Sequence, residues 1–174
     1  EHWQLGVSIE QPETTNIDNP LNFSGNEVAK LPVFSGRMTY QDPIKHLSMA
    51  FEAGQLYWDG LGGIENDSEF VWVLLLSGSY QLKDYGVFKG AVTHGAGTAK
   101  GILGLAAEKS SATIDINGKI DKDFANTVGA SYTHFITPDI NTTLGYAWVK
   151  VDPSEYRATT DLKGSGIGHA NVLW

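Results

Sequence analysis

The residues able to do chemistry are few, and most fall at alternate positions. Arg37 stands between Ser35 and Thr39, and the segment after it carries His46, Ser48 and Glu52 with the same spacing. Glu10 and Lys89 occupy comparable places in their own segments. A guanidinium presents planar, bidentate donors to a carboxylate, so Arg37 is the natural contact for a passing anion. An ion pair with Glu52 across a hairpin is the other use of the same two charges, and both readings stand at this point. His46 and Ser48 share a face, but a base must reach a hydroxyl within ~3 Å to activate it. A shared polar surface accounts for both residues more simply, and no catalytic residue is assigned.

Metal and phosphate chemistry fare no better. Asp59, Glu65, Asn66, Asp67 and Glu69 make one stretch acidic enough to hold Ca²⁺, but a solvated loop is the simpler reading. Asp115, Asn117, Asp121 and Asp123 flank Gly118 in outline like a calcium-binding loop. Lys119 occupies the third ligand position, and no Glu closes the loop. The run from Gly95 to Gly101 lacks the spacing and the βαβ setting of a phosphate-cradling loop. The five histidines form no metal-binding spacing, and Cys is absent, so thiolate chemistry and disulfides are excluded. We assign neither a metal nor a cofactor.

With 12 Lys and Arg against 20 Asp and Glu, the net charge of −8 leaves no basic face for nucleic acid. No stretch reaches the ~20 apolar residues of a membrane helix. Gly makes up 20 of the 174 residues, and period-two alternation dominates throughout.

Eight strands follow from that alternation: Trp3–Glu10, Val33–Gln41, Ile44–Ala53, Phe70–Leu82, Gly86–His94, Phe124–Ile136, Ile140–Val151 and Ile167–Trp174. A weaker ninth lies at Ala112–Ile116. Tight turns near 42–43, 83–85 and 137–139 alternate with long connections at 11–32, 54–69, 95–123 and 152–166. Every short turn therefore lies at one end of the sheet and every long loop at the other. This is the asymmetry of an antiparallel transmembrane β-barrel, whereas a soluble sandwich spreads long loops over both ends. Phe34, Met38 and Tyr40 oppose Ser35, Arg37 and Thr39; Leu47, Met49 and Phe51 oppose His46, Ser48 and Glu52. Tyr40, Tyr80, Tyr132 and Trp174 lie on the apolar face near the short-turn end, as an interfacial girdle would. Val71, Val73 and Leu75 break the rule by being apolar on the polar face. That predicts a cover over them, either a folded-in loop or a subunit contact. The apolar stretch 101–107 is a second candidate for folding inward.

Several segments resemble the DcaP-type trimeric outer-membrane porins. Leu5-Gly6-Val7-Ser8-Ile9-Glu10-Gln11-Pro12-Glu13-Thr14-Thr15 is similar to that family's "AIEQPETT" element, and Leu31 to Tyr40 to its "PDFTARxRY" strand. Val92-Thr93-His94-Gly95-Ala96-Gly97 resembles "LTYGxGIG", with His94 where Tyr is usual. Tyr132 to Pro138 and Leu144 to Val149 follow in the family's order, and His169 to Trp174 is similar to "HANLIW". The resemblance implies a barrel of about sixteen strands, of which this chain would be roughly the C-terminal half. It further implies a homotrimer in the bacterial outer membrane, in contact with lipid. The solutes it implies are small anions such as dicarboxylates, and the function is diffusion without enzymatic chemistry. Arg37, Glu52, Lys89, His46, Glu10 and Thr39 are then the pore-lining candidates. A small closed eight-stranded barrel without a pore, and a soluble ligand-binding β-barrel, are the alternatives.

Overall fold

A computed structural model describes residues 2–11, 17–97, 111–152, 154 and 169–173. Within them the chain is all β, with no helix. The strands are β1 (His2–Glu10), β2 (Ile17–Asp18), β3 (Gly25–Glu27), β4 (Val33–Gln41), β5 (Lys45–Gly60) and β6 (Asp67–Leu82). They continue with β7 (Gly86–Ala96), β8 (Ala112–Ile114), β9 (Ile120–Lys122), β10 (Phe124–Thr137), β11 (Ile140–Asp152) and β12 (His169–Leu173). The main sheet runs β1-β4-β5-β6-β7-β10-β11-β12 with every neighbouring pair antiparallel. β3 adds to the far end of β5, and β2, β8 and β9 form a separate small sheet.

The tight turns are made by the residues that the sequence offers for them. The Asp42 carboxylate accepts the Ile44 and Lys45 backbone N–H groups, each at 2.8 Å. The Thr137 hydroxyl does the same for Asp139 and Ile140 at 3.3 and 3.1 Å. Lys83 reaches a positive φ of 42° at the turn between β6 and β7.

The faces of the sheet are inverted relative to a water-soluble protein. Leu5 and Val7 are 78% and 80% exposed, and Met38, Leu47, Phe51, Leu76, Phe88 and Leu144 are exposed with them. On the opposite face Ser48 and Thr39 retain only 2% and 7% of their surface. Crowded polar side chains and splayed apolar ones are what a curved sheet gives when its concave side is polar. Continuous apolar surface on this scale is stable only against apolar surroundings.

Along the pairing rows the apolar band slopes. One row reads Trp3, Tyr40, Leu47, Gly78, Gly90, Ala130 and Tyr146; the next, away from the tight turns, reads Leu5, Met38, Met49, Leu76, Val92, Val128 and Trp148. One row further, Val7, Gly36, Phe51 and Leu74 give way to His94, Asn126 and Lys150. Strands tilted against the band shift it by this means. Aromatic pairs mark its edge at the tight-turn end: Trp3 with Tyr40 at 5.0 Å and Phe88 with Tyr132 at 4.5 Å.

The long connections depart from the expected boundaries. β5 runs on to Gly60 and β6 begins at Asp67, so most of 54–69 is paired strand rather than loop. Beyond Ala53 the alternation inverts: Gln55, Tyr57 and Asp59 take the outer face, while Leu56 and Trp58 turn to the inner one and are buried. What covers them is the small sheet. Leu56, Trp58 and Val71 pack with Ala112, Ile114 and Ile120 into the main hydrophobic cluster. Val71 thus lies under a folded-in connection, one of the two covers its apolar character predicted. At Gly97 the chain leaves β7 with φ +69°, and a Cβ there would lie 2.3 Å from a Val71 methyl. The weak strand expected at 112–116 is β8, ending at Ile114. The stretch 101–107 and Trp174 lie outside the described residues.

Candidate functional site

The polar face is a ladder of short side chains. Opposite residues read Ser8, Ser35, Glu52, Val73, Gly95 and Ala125 in one row, then Gly6, Arg37, Ala50, Leu75, Thr93 and Thr127 in the next. Toward the tight turns follow Gln4, Thr39, Ser48, Ser77 and Ala91, then Gln41, His46, Ser79, Lys89 and Ser131. Glu10 stands beyond Ser8 at the other end. All six candidates, Arg37, Glu52, Lys89, His46, Glu10 and Thr39, therefore share this face, with the acids toward the long loops and Lys89 toward the tight turns.

Arg37 is held by its neighbours. Its Nε–H donates to the Thr39 and Ser48 hydroxyls at 3.2 and 3.1 Å. Those hydroxyls stand 3.3 Å apart, so the guanidinium is held at its Nε edge between them. No ion pair joins Arg37 to Glu52 among the described residues; Glu52 stands opposite Ser35, one row away. The structural pairing that the sequence left open is not formed. The Ser48 hydroxyl is engaged by Arg37 and Thr39, and no hydrogen bond links it to His46.

Arg37 and Glu52 line one cavity of about 440 Å³ with Ser8, Ser35, Ala50, Val73, Leu75 and Thr93. The Ser8 and Ser35 hydroxyls are 2.6 Å apart, and Ser8 donates to Glu10 at 2.8 Å. The Thr93 hydroxyl is buried there with no hydrogen-bond partner. Neither Thr93 nor the apolar pair Val73 and Leu75 was picked out as a site residue from sequence. That Leu75 and Thr93 fall in the row of Arg37, and Val73 in the next, becomes visible only once the strand register is known.

The acidic stretch holds the loop sheet down. Lys119 reaches Glu65 at 3.3 Å and Asp67 at 4.0 Å, Lys122 reaches Glu69 at 2.6 Å, and Lys30 reaches Asp59 at 2.6 Å. Asn66 caps the Gly60 N–H at 3.1 Å. Asp115 accepts the Asn117 and Lys119 N–H groups, each at 2.8 Å, as the cap of a tight turn. These carboxylates are taken up by lysines and turns, and among the described residues no cluster could hold a metal ion.

No protein-family model matches the sequence, and no curated protein matches it. A solved structure does: the outer membrane channel DcaP of Acinetobacter baumannii, with a TM-score of 0.77 over 99% of this chain at 18% identity. The chain has the fold of that channel. The match spans 46% of DcaP, so this chain corresponds to rather less than half of it. Among the described residues the sheet stays open between β1 and β12, and its place in a closed barrel is inferred from DcaP. DcaP is a channel.

Proposed function

We propose that this chain is part of the wall of an outer-membrane porin that lets small anionic solutes diffuse passively. The observation that carries this reading is the inverted sheet: exposed apolar side chains on one face, crowded hydroxyls, glycines and charges on the other, in the fold of an outer membrane channel. Bilayer lipid covers the apolar face, and the polar face lines water. The alternative of a soluble ligand-binding barrel requires large apolar side chains inside, and here they point out. Following the resemblance, the protein assembles as a homotrimer and carries out no covalent chemistry.

Arg37 and Lys89 support a bias toward anions. They lie two rows and three strands apart, about 13 Å along the strands and 14 Å across them. One small dicarboxylate does not bridge them, so dicarboxylate-like solutes meet them in succession. Glu10 and Glu52 oppose the bias near the long loops. Planar-bilayer recordings of the full-length protein test the reading. Arg37→Ala lowers the anion preference at low salt, and Arg37→Glu lowers it further because the local potential changes sign. Both effects shrink as salt shortens the Debye length from ~10 Å at 0.1 M. A protein that is monodisperse without detergent, or that forms no conductance, defeats the proposal.

A further inference from the structure

Two imidazoles and an ammonium share one row of the polar face. From β1 to β10 that row reads His2, Gln41, His46, Ser79, Lys89 and Ser131, at the tight-turn end of the sheet. Among the described residues, no Asp or Glu stands in this row or in either neighbouring one. The row on the inner side reads Gln4, Thr39, Ser48, Ser77, Ala91 and Gly129; the row toward the turns reads Gln81, Val87, Thr133 and Thr143. The Asp42 carboxylate is taken by the Ile44 and Lys45 N–H groups, the Tyr40 hydroxyl and the Lys45 ammonium. Lys83 and Asp84, in the turn between β6 and β7, are opposite in sign, and Asp139 lies in the turn between β10 and β11. Arg37 is about 13 Å along its strand from the row, Glu52 about 20 Å and Glu10 about 27 Å. His2, His46 and Lys89 make no hydrogen bond or ion pair among the described residues. The outward histidines are engaged: His94 meets Asn126 at 2.6 Å, and His134 stands 3.3 Å from the Tyr132 hydroxyl.

We propose that this row is a proton-dependent anion belt at the tight-turn mouth of the pore, with His2 and His46 setting its strength. Imidazole is the side chain whose charge ordinarily changes between about pH 8 and 5, whereas an ammonium stays charged across that range. At its upper end the belt holds the Lys89 charge alone; at its lower end it holds three. Successive members stand two strands apart, about 10 Å. They therefore act on a solute as a common field rather than by gripping one group together. That spacing matches the Debye length of ~10 Å at 0.1 M, so the fields merge at low salt and separate at high salt. The belt selects small anions by charge and not by shape. This rests on the porin reading, because the row must line the water path to act on solutes.

The test is the reversal potential of the full-length protein in planar bilayers under a gradient of dilute KCl. It is read at about pH 8 and about pH 5.5, both above the ordinary carboxylate range. The permeability ratio of chloride over potassium should rise about threefold on acidification, and by less when the salt is raised to about 1 M. The double variant His2→Asn with His46→Asn should hold the ratio near its higher-pH value throughout, and each single variant should keep about half of the rise. Lys89→Gln should lower the ratio at both pH values and leave the rise in place. If the asparagine variants do not insert, His2→Gln with His46→Gln carries the same test. A conducting double variant that keeps more than half of the rise overturns the belt and leaves the porin reading intact. A wild-type ratio that is equal at the two pH values does the same. A wild-type protein that forms no conductance overturns both.

Discussion

Arg37 and Ser48 sit on neighbouring strands, and the guanidinium Nε–H donates to the Ser48 hydroxyl at 3.1 Å. Ser48 is almost fully buried, so in the proposed porin it would act only by orienting Arg37. Ser48→Ala should leave Thr39 as the sole partner of Nε and let the guanidinium swing. We expect a stability loss of about 1 kcal/mol, typical for a neutral hydrogen bond. The anion preference read from reversal potentials should fall, but less than in Arg37→Ala, since the charge remains. A preference equal to wild type would show that Thr39 alone fixes the side chain.

Adjacent residues on opposite faces give the cleanest test of which side meets lipid. Leu76 lies in the row with Met49 and Val92 at the middle of the apolar band, while Ser77 faces Ala91 on the polar side. Leu76→Arg should cost ~2–4 kcal/mol in urea titrations of the protein folded into vesicles, as expected for arginine near a bilayer midplane. Ser77→Arg should cost under about 1 kcal/mol, as for a substitution away from any packed feature. The reverse order would place the polar face outward and favour a soluble barrel.

The part of the fold that can be read from sequence is the part inside the apolar band. There one environment acts on each face, so Phe34, Met38 and Tyr40 separate cleanly from Ser35, Arg37 and Thr39. Past Ala53 the environments exchange: water meets Gln55, Tyr57 and Asp59, while the loop sheet covers Leu56 and Trp58. A strand whose alternation inverts halfway reads as the end of a strand, and for this reason 54–69 looked like a loop. The candidate charges were legible because each interrupts a run of small residues. Thr93 was not, since a threonine among Ala91, Gly95 and Thr127 carries no local signal of being opposite an arginine three strands away.

The loop sheet should be separable from the strands beneath it. Ile114 is fully buried and packs in the cluster with Leu56, Trp58 and Val71. Ile114→Ala should cost about 2–5 kcal/mol, borne by the small sheet while the paired rows of β4 to β7 remain. Limited proteolysis should then cut within 111–123 faster than in wild type, with far-UV circular dichroism nearly unchanged. If the whole sheet unfolds together instead, the loop sheet is part of one cooperative unit with the strands.

Asp42 supplies a pH dependence whose sign can be worked out. Desolvation pushes its pKa up, but the backbone N–H groups of Ile44 and Lys45, the Tyr40 hydroxyl and the Lys45 charge outweigh it. Together they hold the carboxyl at about 2, below its ordinary 3.8. Lys45 is 3.6 Å away and the Tyr40 hydroxyl donates at 2.9 Å. A folded pKa below the unfolded one means that the unfolded chain binds the proton more readily. The contribution is therefore complete above about pH 4 and is lost as pH falls through about 2. Asp42→Asn keeps the shape of the turn but removes the charge. The stability gap between wild type and Asp42→Asn, followed by thermal melting in detergent, should be constant from pH 7 to about pH 4 and should narrow toward pH 2. A gap independent of pH across that window would mean that shape and not charge closes the turn between β4 and β5.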